Sequence, residues 1–142
     1  MNKVLFSSKK ENWETPQNLF DELNKEFNFT VDVASDENNY KVPKHYTKKE
    51  DGLQQNWENE TVWCNPPYGR EIGKWIKKAF DSCSATIVML IPARTDTKWF
   101  HEYIYKKNNV EIRFLKGRLK FGNSKNSAPF PSMIVIFKRE EL

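Results

Sequence analysis

The chain has 142 residues and a net charge of +4, and 38% of its side chains are apolar. That length supports one domain with a real core rather than two, and no apolar run approaches the roughly 18 residues of a membrane span. Cys64 and Cys83 form neither a CxxC pair nor a disulfide framework, and the opening residues are too weakly apolar for a secretory signal. A membrane-spanning or disulfide-stapled protein is thereby excluded, and a cytoplasmic one is expected.

Residues 1–12 are polar and are expected to be loosely ordered. Thr15-Pro16 has the form of a helix start, with Thr as N-cap and Pro at the first helical position. Leu19, Phe20, Leu23 and Phe27 follow at helical spacing, which predicts an amphipathic helix over 16–27. FTVDVA (29–34) reads as a strand. Residues 35–60 are polar and irregular, and a segment of this kind inside a compact domain is functional or flexible.

The regular rhythm then returns. TVWC (61–64) is a strand, and Ile72, Trp75, Ile76, Ala79 and Phe80 mark a helix. ATIVMLI (85–91) is apolar throughout, as in a strand buried on both faces. Thr95 to Lys107 is a predicted helix carrying Trp99, Phe100, Tyr103 and Ile104 on one side, and VEIRFL (110–115) is another strand. RLKFG and PSMIVIFK flank the polar turn NSKN and are expected to form a C-terminal antiparallel strand pair. Alternating strands and helices predict a compact three-layer α/β fold with a mainly parallel sheet. Ligands in such sheets bind beyond the carboxyl ends of the strands, where DVASDEN, CNPPYGR and IPARTDT should meet.

The loop CNPPYGR has the look of a device. Pro66 and Pro67 each hold φ at about −65°, remove a donor, and force the preceding residue into extended conformations. Asn65 is then held at the strand end, with its side-chain oxygen and the carbonyl of Pro66 facing one space. Two adjacent acceptors suit a planar amine such as that of a nucleobase, and Tyr68 stands ready to stack on it. An aromatic amine is a poor nucleophile because its lone pair is delocalised. Fixed acceptors on its protons favour a tetrahedral nitrogen and act mainly in the transition state. The bland alternative for NPPY is a rigid turn.

WETPQNLFDEL, VDVAS, EDGLQQNW, VWCNPPYGR, LIPARTDTKWF, FLKGRLKF and APFPS occur in that order between about Trp13 and Phe137. Together they resemble the phage and prophage family of DNA adenine-N6 methyltransferases, often called Dam-like. The resemblance implies a Rossmann-like methyltransferase fold, the cofactor S-adenosylmethionine, no metal, and double-stranded DNA as partner, with an adenine flipped from the duplex. It implies one methyltransferase domain over 1–142 without a separate target-recognition domain, at work in a host cell's cytoplasm if phage-encoded. Carried over, Asn65, Pro66, Pro67 and Tyr68 form the catalytic motif, and Asp32 and Asp51 take positions near the cofactor. Thr15 and Pro16 match a segment beside the cofactor's methionine part. VDVASDENN lacks the glycine-rich loop usual in such enzymes; Ala34 and Ser35 are the small residues in its place.

Each residue also has a plainer reading. Asp32 could cap a loop and Asp51 a short helix, while Arg94 suits either a phosphate contact or a solvated loop. His45 and His101 lack metal-ligand spacing, and Cys64 packs as a small apolar group. Lys116, Arg118, Lys120 and Lys125 interleave with Phe114 and Phe121, and Phe130 lies just beyond, in a pattern that suits phosphates and bases. A solvated hairpin with core phenylalanines is the alternative. Two other functions stay open: a methyltransferase acting on RNA or a protein amide, and an inactive DNA-binding module of the same fold.

Overall fold

The structure is a computed structural model that describes residues 13–122 and 125–140. The expected loose order of residues 1–12 and half of the NSKN turn lie outside the described residues. The apolar runs become the strands β1 (Val31–Asp32), β2 (Thr61–Cys64), β3 (Thr86–Pro92), β4 (Val110–Phe114) and β5 (Ser132–Phe137) of one sheet, ordered β1-β2-β3-β5-β4. β1, β2 and β3 pair in parallel, and β5 lies antiparallel to both β3 and β4. Four strands therefore run one way and β5 alone is reversed.

The reversed strand was expected, but not its partners. β5 pairs with β3 and β4 rather than with RLKFG, which forms no strand. SMIVIF is buried at every position, so both faces of the sheet are covered there, and β3 and β4 flank it. RLKFG instead closes a loop, in which the Ala128 N–H donates to the Leu119 carbonyl at 2.7 Å.

The register aligns Trp63, Val88, Ile136 and Glu111 in one row across the sheet, and alternation adds Arg113 to that face. The helix α1 (Gln17–Phe27) covers it. Phe20 meets Trp63 edge-on at 5.3 Å, and Arg113 donates to both carboxylate oxygens of Glu26 at 2.7 Å. The helices α2 (Ile72–Asp81) and α3 (Lys98–Tyr103) lie in the crossovers β2–β3 and β3–β4. Right-handed crossovers put both on the opposite face, where the rings of Phe80 and Tyr103 touch at 5.3 Å. The result is three layers, and no helix among the described residues is long and apolar enough to cross a membrane.

Two helix starts differ from expectation. α1 begins at Gln17, with Pro16 as N-cap and no side-chain cap, because the Thr15 hydroxyl is engaged elsewhere. α3 is shorter than predicted: Thr97 caps it by accepting the Phe100 N–H, and the chain turns at Lys106 with φ of 58°.

The irregular segment is folded against the sheet. Asp32 exchanges backbone hydrogen bonds with Lys44 and Tyr46, so residues 44–46 run along the outer edge of β1. A 3-10 turn, Gly52–Gln54, then leads towards β2.

Candidate active site

A cavity of about 470 Å³ opens at the carboxyl ends of β1 and β2. Asp32 lines it from the end of β1, Ala34 and Ser35 from the loop that follows, Asp51 and Gly52 from the start of the 3-10 turn, and Asn65 and Pro67 from the NPPY loop. Thr15 lines it from the entry to α1, beside Trp13 and Glu14. Of the six residues assigned to the cofactor from sequence, only Pro16 is absent from the wall.

Asp32 is 3% exposed, and its two carboxylate oxygens accept the backbone N–H groups of Ala34 at 3.2 Å and Lys41 at 2.9 Å. Burial pushes its pKa up, and the two N–H groups pull in the opposite direction without prevailing. Asp51 takes the capping role that was its plainer reading, and it also faces the cavity. Its Oδ1 accepts the Leu53 N–H at 3.1 Å, capping the 3-10 turn, while the residue lines the cavity.

Gly52 was not singled out from sequence. A Cβ there would stand 2.0 Å from the Val33 carbonyl oxygen and 3.0 Å from the Trp75 ring. Only glycine lets the 3-10 turn approach the end of β1 so closely. This close approach is between two protein segments that both line the cavity. The isolated glycine of EDGLQQ was the signal available.

Asn65 is half-buried. Its Nδ2 donates to the Trp13 carbonyl and to the Thr15 hydroxyl, the latter at 2.9 Å. A carbonyl can only accept, so the nitrogen end of the amide must face Trp13. The other end, Oδ1, is buried with no hydrogen-bond partner among the described residues. Such an orphan acceptor is uncommon in a folded protein, and a water or a ligand donor would satisfy it. Pro66 is buried beside it. Tyr68 is buried too: its hydroxyl donates to the Leu90 carbonyl at 3.1 Å, and burial pushes its pKa well up.

The family described as DNA N-6-adenine-methyltransferase (Dam) matches residues 3–141. The chain belongs to this family. No curated protein sequence matches it. Among solved structures it is similar to one from Thermoplasma acidophilum, titled "a putative methyltransferase", at 12% identity and a TM-score of 0.46. That likeness covers 89% of this chain, and the chain spans 65% of the other's length.

This Dam-family chain has a second cavity, of about 490 Å³, on the far side of Trp13. Tyr68, Gly69, Arg94, Trp99 and Phe130 line it, and Trp13 lines both cavities. The Trp13 and Tyr68 rings lie 22° from parallel with centroids 6.5 Å apart. Arg94, ambiguous in sequence, sits at its rim with its guanidinium 5.9 Å over the Phe130 ring.

The basic and aromatic residues of the C-terminal segment separate. Lys116, Arg118, Lys120 and Lys125 are exposed. Phe121 and Phe130 are buried, both edge-on to Trp13 at 5.3 and 5.2 Å. They form the wall behind Trp13 rather than free faces for stacking. His45 lies flat against Tyr40 at 3.9 Å, His101 contacts the Thr95 carbonyl, and Cys64 is fully buried in the sheet.

Proposed function

We propose that this chain methylates N6 of an adenine turned out of duplex DNA, using S-adenosylmethionine. The observation that carries the reading is the buried, unpartnered Oδ1 of Asn65, next to a cavity with carboxylates on its walls.

The cofactor fits the residues present. The first cavity falls within the roughly 300–1,000 Å³ of small-molecule sites. Asp32 and Asp51 offer acceptors for hydroxyl, amine and ammonium groups, and Trp63 and Trp75 offer aromatic walls. Bound there, S-adenosylmethionine would supply the electrophilic methyl group.

The chain's own residues act on the target. Asn65 Oδ1 accepts one N–H of the exocyclic amine, and the Pro66 carbonyl accepts the other. Both acceptors favour a tetrahedral nitrogen with its lone pair free. They are in place before reaction, so no reorganisation is needed as charge develops. Pro66 and Pro67 keep the loop stiff, and Tyr68, anchored through its hydroxyl, is a fixed wall for the base in the second cavity. Holding the amine in one orientation removes much of the entropic part of the barrier.

Lys116, Arg118, Lys120 and Lys125 are proposed to meet DNA phosphates, with sequence readout from loops 36–60 and 116–130. A DNA substrate places the work in the cytoplasm, the host's if a phage carries the gene. The same acceptors would suit a planar nitrogen of RNA or a protein amide, but family membership favours DNA. Incubation with labelled S-adenosylmethionine and unmethylated duplex DNA, RNA or protein, then nucleoside analysis, tests this. Labelled N6-methyladenine from DNA is expected. Label only in RNA or protein would reassign the substrate, and no label with intact cofactor binding would leave a DNA-binding module.

A further inference from the structure

Trp13, Glu14 and Thr15 cross the NPPY loop as a strap before α1. Three sets of contacts hold it. The Gly122 N–H donates to the Glu14 carbonyl at 2.8 Å. The Trp13 indole rests edge-on against Phe121 and Phe130. Asn65 Nδ2 donates to the Trp13 carbonyl and the Thr15 hydroxyl, and Thr15 is only 3% exposed.

The last contact bears on chemistry. The two ends of an asparagine amide are nearly the same size, so packing alone hardly distinguishes its two orientations. Reversed, Asn65 would present N–H donors to an amine that is itself a donor, and nothing would orient the target. The strap offers two acceptors on one side, a carbonyl that can only accept and a hydroxyl able to. The nitrogen end is thereby held against the strap, and Oδ1 is left on the other side, buried and without a partner among the described residues. A carboxylate at position 65 could not do this, because its ionised oxygen would face the oxygen of the Trp13 carbonyl.

We propose that strap 13–15 positions the amide of Asn65, with Thr15 as its positioning side chain and Gly122 as its tether. The proposal rests on Oδ1 being the acceptor for the target amine. It links the WETP and RLKFG motifs in one role, since the first supplies the acceptors and the second ties them down. Gly122 is suited to the tether position, because its φ is +56° and a Cβ there would stand 3.1 Å from Glu14 Oε2.

The test uses the full chain with Thr15→Val, Thr15→Ser and Gly122→Ala, each checked for an unchanged melting profile. The first readout needs no activity: the side-chain amide resonances of Asn65, assigned by their loss in Asn65→Ala. Wild type and Thr15→Ser should show slow exchange of these protons, and Thr15→Val exchange about tenfold faster or more. The second readout is turnover. Thr15→Val should lower kcat about tenfold, and Thr15→Ser should restore it. Gly122→Ala, which lines neither cavity, should lower kcat in the same way. Wild-type exchange and kcat in Thr15→Val would overturn the strap's role. Protected Asn65 protons that Thr15→Val exposes, in a wild type that methylates no substrate, would keep the pinning and overturn the function assigned to Oδ1.

Discussion

The Asn65 amide nitrogen donates to the Thr15 hydroxyl at 2.9 Å, joining the NPPY loop to a residue fifty positions earlier in the chain. That bond and its companion to the Trp13 carbonyl leave one end of the amide occupied and the other buried without a partner among the described residues. The orientation of this single side chain separates an acceptor from a donor at the proposed reacting amine.

Asn65→Ala should abolish most methyl transfer. Loss of one preorganised hydrogen-bonding group costs on the order of a hundredfold or more in rate. The fold should survive, because the change also removes a buried orphan oxygen. Single-turnover methylation alongside thermal melting decides it, and near-normal turnover in a folded variant would rule out the mechanism.

Asn65→Asp should show an inverted pH dependence. Burial and the facing Trp13 carbonyl disfavour the carboxylate, so the carboxyl's pKa should rise. Below that pKa the neutral acid donates to Trp13 and leaves a carbonyl oxygen on the other side, as the amide does. Above it, the anion faces a carbonyl and shifts away. The variant's rate relative to wild type should therefore climb as pH falls, in parallel pH–rate profiles from about 8 to 5. A ratio independent of pH would contradict the arrangement.

Asp32 should make both cofactor affinity and stability depend on pH. Its pKa is raised above the ordinary 3.8 by burial. The folded chain therefore keeps this proton to higher pH than the unfolded chain does. The stability linked to it is full below the unfolded value and is lost as pH rises through the folded one. Cofactor binding should run the other way, since an ionised Asp32 is the better acceptor. Affinity should weaken as pH falls through the raised pKa, and titration calorimetry across acid to neutral pH should show the loss beginning above 3.8. Asp32→Asn should flatten that dependence.

Gly52→Ala should damage the cofactor cavity from outside the catalytic motif. The added Cβ would overlap the Val33 carbonyl at 2.0 Å, so backbone must move. Overpacking of this kind costs roughly 1–3 kcal/mol. A lower midpoint in denaturant together with weaker cofactor binding is expected, and a variant as stable as wild type would show that the turn can move freely.

Replacing Arg118 and Lys120 together by Ala should flatten the slope of log K against log salt for DNA by roughly one to two units. The loss should be alike on most sequences, because phosphate contacts position without specifying. Tyr68→Ala should leave the slope nearly unchanged and slow methylation, since it alters the wall of the second cavity rather than the charge. Filter binding over a salt series compares them. An unchanged slope in the double variant would move the DNA track to Lys41, Lys44, Lys48 and Lys49.

The sequence by itself determined the local elements and the stiff NPPY loop. Strand TVWC, the buried run of β3, the apolar stripes of the helices and the stiffness of Asn65-Pro66-Pro67 all follow from patterns a few residues long. Backbone dihedrals and side-chain periodicity act at that range. Only the tertiary structure decided which distant residues meet. β5 lies between β3 and β4 instead of beside RLKFG. Phe121 and Phe130, placed on a DNA track by their spacing among lysines, turned inward against Trp13. Gly52, in a segment that reads as irregular, packs so closely on the end of β1 that no side chain fits there. Trp13, unassigned in sequence, became the wall between two cavities and an acceptor for Asn65. Contacts of this kind depend on sheet order and chain path, which no short window of sequence contains.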